Sequence, residues 1–352
     1  MTDPTPAAPR LLKRGLLIGY GVGAVALIAI LAYYGMARIG LAVVGAGWGL
    51  AGVLLVHALQ LAFLGAAWRA VLPAPPRPSV AAFWRLRWIR EGVNNLLPVA
   101  QIGGEVVGAR LLARYGVPLG MAGASATVDL TVEMVTQILF TIAGLGLLSI
   151  GSHDRAVMSW LAVGTAVALL AAIAFVAVQR FGLFRLIERG LLKLAERWPG
   201  LSLQGIRGLH DSVLAIHAHG RGLVVGAACH GAAWVLGTAE VWVALAALGH
   251  PVSVVDAFVI ESLGMALRNA GFAVPGALGV QEAAFILVCS PFGVPAETAV
   301  ALSMVKRVRE LGYGLAALAA WQWSEGHLLA RAIGGASRTT RDGGAGAVRP
   351  RG

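Results

Sequence analysis

The sequence predicts an all-α polytopic membrane protein, with about six transmembrane helices and two broken re-entrant hairpins in inverted internal repeats. Three observations predict it. Of 352 residues, 58% are hydrophobic and only 13% are charged, against about 25% charged in an ordinary soluble domain. So few charges cannot cover a water-facing surface, which makes the bilayer the expected solvent. Two apolar stretches are broken by proline and glycine. The sequence also matches itself at a shift of 177 residues, the distance from Pro98 to Pro275.

Six apolar stretches are long enough to span: 15–36, 42–68, 120–149, 156–179, 222–248 and 297–323. The first follows Arg10, Lys13 and Arg14. That pattern also opens a signal peptide, but the run is long and no small-residue cleavage site ends it, so an uncleaved first helix is expected. The broken stretches are 79–113, with Asn94, Asn95, Pro98, Gly103 and Gly104, and 252–291, with Arg268, Asn269, Pro275, Gly276 and Gly279. Breaks at membrane depth leave backbone groups that need protein or water partners, which favours buried re-entrant hairpins.

The net charge of +11 does not form a basic domain. Its arginines flank the spans, so topology and headgroup contacts are expected and nucleic acid is not. With the N-terminus cytoplasmic and the hairpins returning to their own side, only Arg38 and Arg155 fall outside, while Arg268, Lys306, Arg307 and Arg309 lie within the membrane. Cys229 and Cys289 lie in apolar segments and give no disulfide or metal pattern.

A single membrane domain is expected over 11–330, with repeat A at 42–149 and repeat B at 219–323. Residues 180–221 form the longest polar insertion. Leu183, Phe184, Ile187, Leu191, Leu194 and Trp198 interleave with Arg185, Glu188, Arg189, Lys193, Glu196 and Arg197. The pattern fits an amphipathic helix on the cytoplasmic leaflet and, equally, a solvated helical hairpin. The tails, 1–10 and 331–352, are rich in Pro, Gly or Arg and are expected to be disordered.

At the 177-residue shift, Pro98, Glu105, Gly116-Val117-Pro118 and Glu133 fall on Pro275, Glu282, Gly293-Val294-Pro295 and Glu310. Three membrane crossings separate a position in repeat A from its counterpart, and an odd number inverts the second copy. Inverted repeats with matching broken segments mark transporters with midplane sites. Four crossings would make the repeats parallel, which the arginine distribution opposes.

An ionised Asp, Lys or Arg at mid-bilayer costs roughly 2.5–3.5 kcal/mol. Ser125, Asp129, Glu133 and Gln137 nevertheless form one stripe of the third span, and Lys306, Arg309 and Glu310 one face of the last. Asp129 and Glu133 are expected to pair with Lys306 and Arg309 across the pseudo-twofold axis. Such pairs either lock two helices together or line a polar cavity for a headgroup. The candidate cavity residues are Asn94, Asn95, Gln101, Glu105, Asp129, Glu133, Arg268, Asn269, Glu282, Lys306, Arg309 and Glu310. Glu240 could join them.

His57 and Gln60 read as interhelical hydrogen bonders, and the tryptophans as interface anchors. His210, His217 and His219 lack a cysteine or clear carboxylate partner, so no metal and no cofactor are expected. Gly19, Gly21 and Gly23 read as packing glycines, since no strand precedes them. No catalytic constellation stands out.

The run Arg87-Trp88-Ile89-Arg90-Glu91-Gly92-Val93-Asn94-Asn95-Leu96-Leu97-Pro98, then Gln101-Ile102-Gly103-Gly104-Glu105, resembles the flippase-like family that includes the membrane domain of lysyl-phosphatidylglycerol synthases. Val274-Pro275-Gly276-Ala277-Leu278-Gly279-Val280-Gln281-Glu282 and Val305-Lys306-Arg307-Val308-Arg309-Glu310 agree. The resemblance covers roughly residues 11–330 and is closest to the hopanoid-associated HpnL-like branch. It implies lipid handling in the bacterial inner membrane, with hopanoid or phospholipid as partner, while the arginine distribution puts both termini in the cytoplasm. The chain ends shortly after its last span, so a soluble aminoacyl-transfer domain, and with it synthase activity, is not expected. A lipid translocator is the leading reading. A scaffold holding hopanoid-biosynthesis enzymes through 180–221, and an intramembrane transferase acting on a lipid-linked substrate, are the alternatives.

Overall fold

A computed structural model describes residues 28, 32, 36–73, 75–97, 103–151, 208–271 and 274–342. The expected spans at 156–179 and over most of 15–36 lie outside these residues. So do the tail 1–10, the insertion as far as residue 207, and Gln101.

The described chain is helical throughout: α1 (Met36–Gly45), α2 (Trp48–Val71), α3 (Val80–Leu96), α4 (Gly103–Ala113), α5 (Leu119–Gly151), α6 (Leu209–Ala218), α7 (Gly220–Ala247), α8 (Val254–Ala270), α9 (Val280–Cys289) and α10 (Ala296–Asp342). Of these, α2, α5 and α7 are long and apolar enough to cross a membrane, in agreement with the stretches 42–68, 120–149 and 222–248. The stretch 297–323 forms part of α10, whose four consecutive-turn charges Lys306, Arg307, Arg309 and Glu310 set it apart from the other three. α10 runs on to Asp342. Helix therefore extends into the segment 331–352 that composition marks as disordered, because it continues a turn-by-turn hydrogen-bonded ladder already nucleated inside the bundle.

Each broken stretch folds as an antiparallel helical hairpin. In the first, Gly104 N donates to Asn94 Oδ1 at 2.8 Å and Arg90 Nε to Glu105 Oε1 at 2.7 Å, so α4 returns along α3. In the second, Arg268 Nε donates to Gln281 Oε1 at 2.6 Å. Limbs of 17 and 11 residues, then 17 and 10, span only about 26 and about 15–17 Å at 1.5 Å per residue, short of a hydrocarbon core of about 30 Å.

The sequence repeat is a backbone repeat. Gly116 and Gly293 both take positive φ, 86° and 71°, where a side chain would be strained. Their N–H groups donate to Ala113 O and Ser290 O, each at 3.1 Å, and Pro118 O and Pro295 O accept from Ala122 N and Ala299 N in the next turn. Ahead of the breaks the register differs. Ser79 caps α3 and Ser253 caps α8, so the first limbs match at 174 residues, and Asn269 is the counterpart of Asn95. The difference lies in the longer connection from Ala270 to Pro275.

The halves meet twice over. α2 and α7 pack antiparallel: Gly49 lies against Ala247, Gly52 against Val243, and Gly226 against Ala67 and Val71. They cross near Gln60, whose Nε2 donates to Ala233 O at 3.1 Å. Since α2 and α7 are counterparts, antiparallel packing inverts one repeat on the other. In addition, each first limb lies on the long helix of the opposite half, α3 on α10 and α8 on α5. The described end of the insertion, α6, is not a surface helix alone. Val213 and Ile216 are fully buried in the cluster around Trp68 and Leu112. Trp68 is likewise a core residue instead of an interface anchor, donating from Nε1 to Ser125 Oγ at 3.1 Å.

Candidate functional site

The intramembrane charges come together in two belts, one per half. In the first, α3 supplies Arg87 and Arg90 one turn apart, so both guanidiniums project from one face. Arg87 forks onto Glu133 at 2.9 and 2.6 Å. Arg90 reaches Asp129 Oδ2 at 2.7 Å and Glu105 Oε1 at 2.7 Å, and lies over the Trp68 ring. Asn94 Nδ2 adds a 3.4 Å contact to Glu105. From α7, His230 Nε2 stands 3.0 Å from Asp129 Oδ1, both side chains fully buried.

In the second belt α10 supplies the cations. Lys306 Nζ donates to Glu261 Oε2 at 2.7 Å and lies 3.5 Å from Glu240. Arg309 donates to Glu240 Oε2 at 2.5 Å. Arg307 holds Glu282 at 2.5 and 3.1 Å and also donates to Gly276 O and Ala277 O of the break. Arg268 reaches Glu310 Oε1 at 3.0 Å. Glu282 also accepts from Gly279 N at 2.7 Å and from Ser303 Oγ at 2.9 Å. Fork geometry and several donors per carboxylate are what a buried ion needs to offset desolvation.

This corrects the expected pairing. Asp129 and Glu133 do not pair with Lys306 and Arg309. They take their cations from α3, in their own half, while Lys306 and Arg309 take carboxylates from α7 and α8, in theirs. Short local routes within a hairpin-and-span unit supply the guanidinium and ammonium partners, and, among the described residues, the contact of Asp129 with His230 of α7 is the one that reaches into the other half. Glu105 and Glu282 occupy matching positions, yet the arginine comes from the first limb in one half and from the long helix in the other.

The sequence did not single out Arg87, Arg90, Glu91, His230, Glu261 or Arg307 as site residues, although Arg87, Arg90 and Glu91 sit in its most distinctive motif. Glu261 and His230 each stand alone in an otherwise apolar run, and an ionisable group at membrane depth is the signal that would have found them. His217 bonds Val213 O at 2.9 Å and His210 is buried. Asp129, Glu133 and His230 each place a ligand atom within 4.8 Å of the others, but two guanidiniums already occupy the carboxylate oxygens and would repel a cation. The donor set does not fit a metal.

Among the described residues, the charges of each belt meet one another directly. Where α3 meets α10 the halves are held by Trp88 Nε1 donating to Tyr313 O at 2.9 Å, beside a crevice too narrow for water, lined by Glu91, Gly92, Asn95, Glu310 and Gly314. Its counterpart, where α8 meets α5, is closed by Asn269 Nδ2 donating to Gln137 Oε1 at 3.1 Å. Gly314 stands at the position matching Gln137, so Asn95 has no amide to meet, and its side chain makes no hydrogen bond among the described residues.

An all-helical inverted repeat with paired charges at membrane depth defines an integral membrane protein built around the contact between its halves. The chain belongs to the family described as the lysylphosphatidylglycerol synthase TM region, whose model matches residues 16–318. No curated protein and no solved structure matches it.

Proposed function

We propose that the protein is a lipid translocator of the bacterial inner membrane, with both termini cytoplasmic, handling a hopanoid or a polar phospholipid. The observation that carries this reading is the unlike polar pairing of the two contacts between the halves: Asn269 bonds Gln137 on one side of the pseudo-twofold axis, while on the other Asn95 faces Gly314 beside the Trp88 Nε1–Tyr313 O hydrogen bond at 2.9 Å. A translocator needs one interface that parts and one that holds, and inverted repeats that rock on each other provide them. The belts pair most intramembrane charges inside the half that carries them, and, among the described residues, the one buried contact of a belt that crosses between the halves, Asp129 with His230, lies between α5 and α7 rather than at the α3–α10 crevice. Glu91, Glu310 and Asn95 line it, which favours a headgroup that donates hydrogen bonds, such as a polyol or an amine, over an anionic one. The family's association with lipid, and the resemblance to the hopanoid branch, support the cargo class.

The protein reconstituted in liposomes is expected to move labelled polyhydroxylated hopanoid or phospholipid between leaflets faster than empty liposomes do. No difference for either lipid class would end this reading.

A further inference from the structure

The inverted repeat gives the bundle two ends of matching build, and their charges differ. At one end α2 finishes, α3 begins, α4 turns into α5 and α7 starts. It carries Arg69, Arg77, Arg85, Arg110, Arg114 and Arg221, with Asp211 of α6 as the acid among its described residues. At the other end α7 finishes, α8 begins and α9 turns into α10. Its described side chains include Asp256 and Glu297 and no lysine or arginine. Arg69, Arg110 and Arg114 have Ala246, Leu287 and Pro291 at the matching repeat positions, and Arg77, two residues before the Ser79 cap, has Pro251 two residues before Ser253. The second repeat thus forms the same turns without these arginines, so the fold does not require them.

Their surroundings point to a lipid headgroup. Val80 opens α3, Leu119 opens α5 and Val224 lies in the second turn of α7, all with exposed apolar side chains. Hydrocarbon therefore begins within about a turn of the exposed Arg77 and Arg221. A lipid lying against this rim sets its phosphate among guanidiniums that can fork onto it, whereas free phosphate or nucleic acid gains nothing from the rim. Arg77 sits on a fixed loop: Arg69 Nε donates to Pro78 O at 2.9 Å, and Pro76 Cγ would lie 3.7 Å from a Cβ at Gly116. Arg221 comes from the other half. It precedes Gly222, where an added Cβ would lie 2.5 Å from Ala70 O, so the start of α7 abuts the end of α2. Arg69 and Arg77 of repeat A and Arg221 of repeat B thus flank one seam. Residues 180–207, which lead into α6, hold six lysines and arginines against two glutamates, and a basic amphipathic segment beside a basic seam suits an anionic surface.

We propose that this seam binds an anionic phospholipid of the surrounding bilayer, whose phosphate is shared between Arg77 and Arg221 and so ties repeat A to repeat B at this end. The lipid is a resident ligand and not cargo. The site lies at the end of the bundle, apart from Asn95 and Gly314, and it needs no translocation, so it is tested without any.

The experiment uses full-length protein purified in detergent, which separates binding by the folded protein from any role of the arginines during insertion. Native mass spectrometry follows the binding of added dioleoyl phosphatidic acid and, separately, dioleoyl phosphatidylcholine. The anionic lipid is expected to bind at least tenfold tighter. Arg77→Gln with Arg221→Gln is expected to lower its affinity at least tenfold and to leave that of phosphatidylcholine unchanged, while Arg77→Lys with Arg221→Lys retains most of the preference. Should the glutamine pair fail to fold, either single replacement is expected to lower the affinity at least threefold. A second readout addresses the tie between the halves: phosphatidic acid is expected to raise the thermal midpoint of the wild-type protein and not that of the glutamine pair. Equal binding of the two lipids, as arginines that act only as insertion signals would give, overturns the proposal. So does a preference unchanged in the glutamine pair, competition by inorganic phosphate at the same concentrations as lipid, or a thermal shift that survives the replacements. Failure of lipid translocation with these binding readouts intact would instead count against the translocator reading alone.

Discussion

Asn269 of the second hairpin donates to Gln137 of the opposite half at 3.1 Å, and the matching pair on the other side of the axis is Asn95 and Gly314. One interface is thus closed by an amide–amide hydrogen bond, and the other lacks the side chain that would form it. A Cβ at position 314 would meet Leu96 Cδ1 at 2.7 Å, so Leu96→Ala is needed to make room. Gly314→Gln in a Leu96→Ala background is expected to add a hydrogen bond to Asn95 between the halves and to lower lipid translocation at least tenfold relative to Leu96→Ala alone. Translocation of labelled lipid in liposomes is the measurement, with the helical circular dichroism signal as the check on folding.

Antiparallel packing of α2 on α7 places the caps of the two hairpins, Ser79 and Ser253, at opposite ends of the bundle. Both residues are exposed. Single cysteines there, in a background without Cys229 and Cys289, are expected to differ in labelling by a membrane-impermeant thiol reagent on spheroplasts. The cysteine at Ser253 reacts, and the one at Ser79 reacts only after lysis. Labelling of both, or of neither, before lysis would contradict the inverted arrangement.

Much of this fold was legible because membrane proteins write their constraints in sequence. Hydropathy located α2, α5 and α7, and Pro98, Pro275 and the two Gly-Val-Pro turns located the hairpins and the repeat. The pairing of charges was not legible. Asp129 and Lys306 fall at matching positions with opposite sign, which suggests attraction across the axis. Their partners were decided by which side chains reach them first, and that depends on hairpin geometry. Glu261 and His230 were passed over because neither has a second charge one helical turn away to make a stripe, although each is an ionisable group at membrane depth. The three-residue difference in register before Pro275 was hidden for a related reason, since first limbs rich in common apolar residues align almost as well at one shift as at another.

The close contact of α2 and α7 depends on small residues at the crossing ends. A Cβ added at Gly49 would overlap that of Ala247. Gly49→Ala is therefore expected to destabilise the protein by about 1–3 kcal/mol, the usual range for overpacking. Ala247→Gly in the same chain is expected to restore most of the loss. A double-mutant cycle read from thermal unfolding in detergent measures the coupling, and additive losses would place the crossing elsewhere.

The last prediction separates two residues that the repeat makes look alike. Glu282 is fully buried and is the carboxylate that Arg307 holds, while it also accepts from Gly279 N and Ser303 Oγ. Removing its charge strands a buried guanidinium, for which about 3–5 kcal/mol is the usual cost. Glu105 is 13% exposed, and its partner Arg90 keeps Asp129 at 2.7 Å when Glu105 is neutral. Glu105→Gln is therefore expected to cost less than half as much as Glu282→Gln. Replacing both members of the second pair, as Arg307→Met with Glu282→Met, is expected to recover part of the loss, because two apolar groups leave no charge unpaired. Thermal midpoints of the four proteins in one detergent give the ranking. Equal losses for Glu105→Gln and Glu282→Gln would show that the belts respond as symmetric copies, contrary to their different sources of arginine.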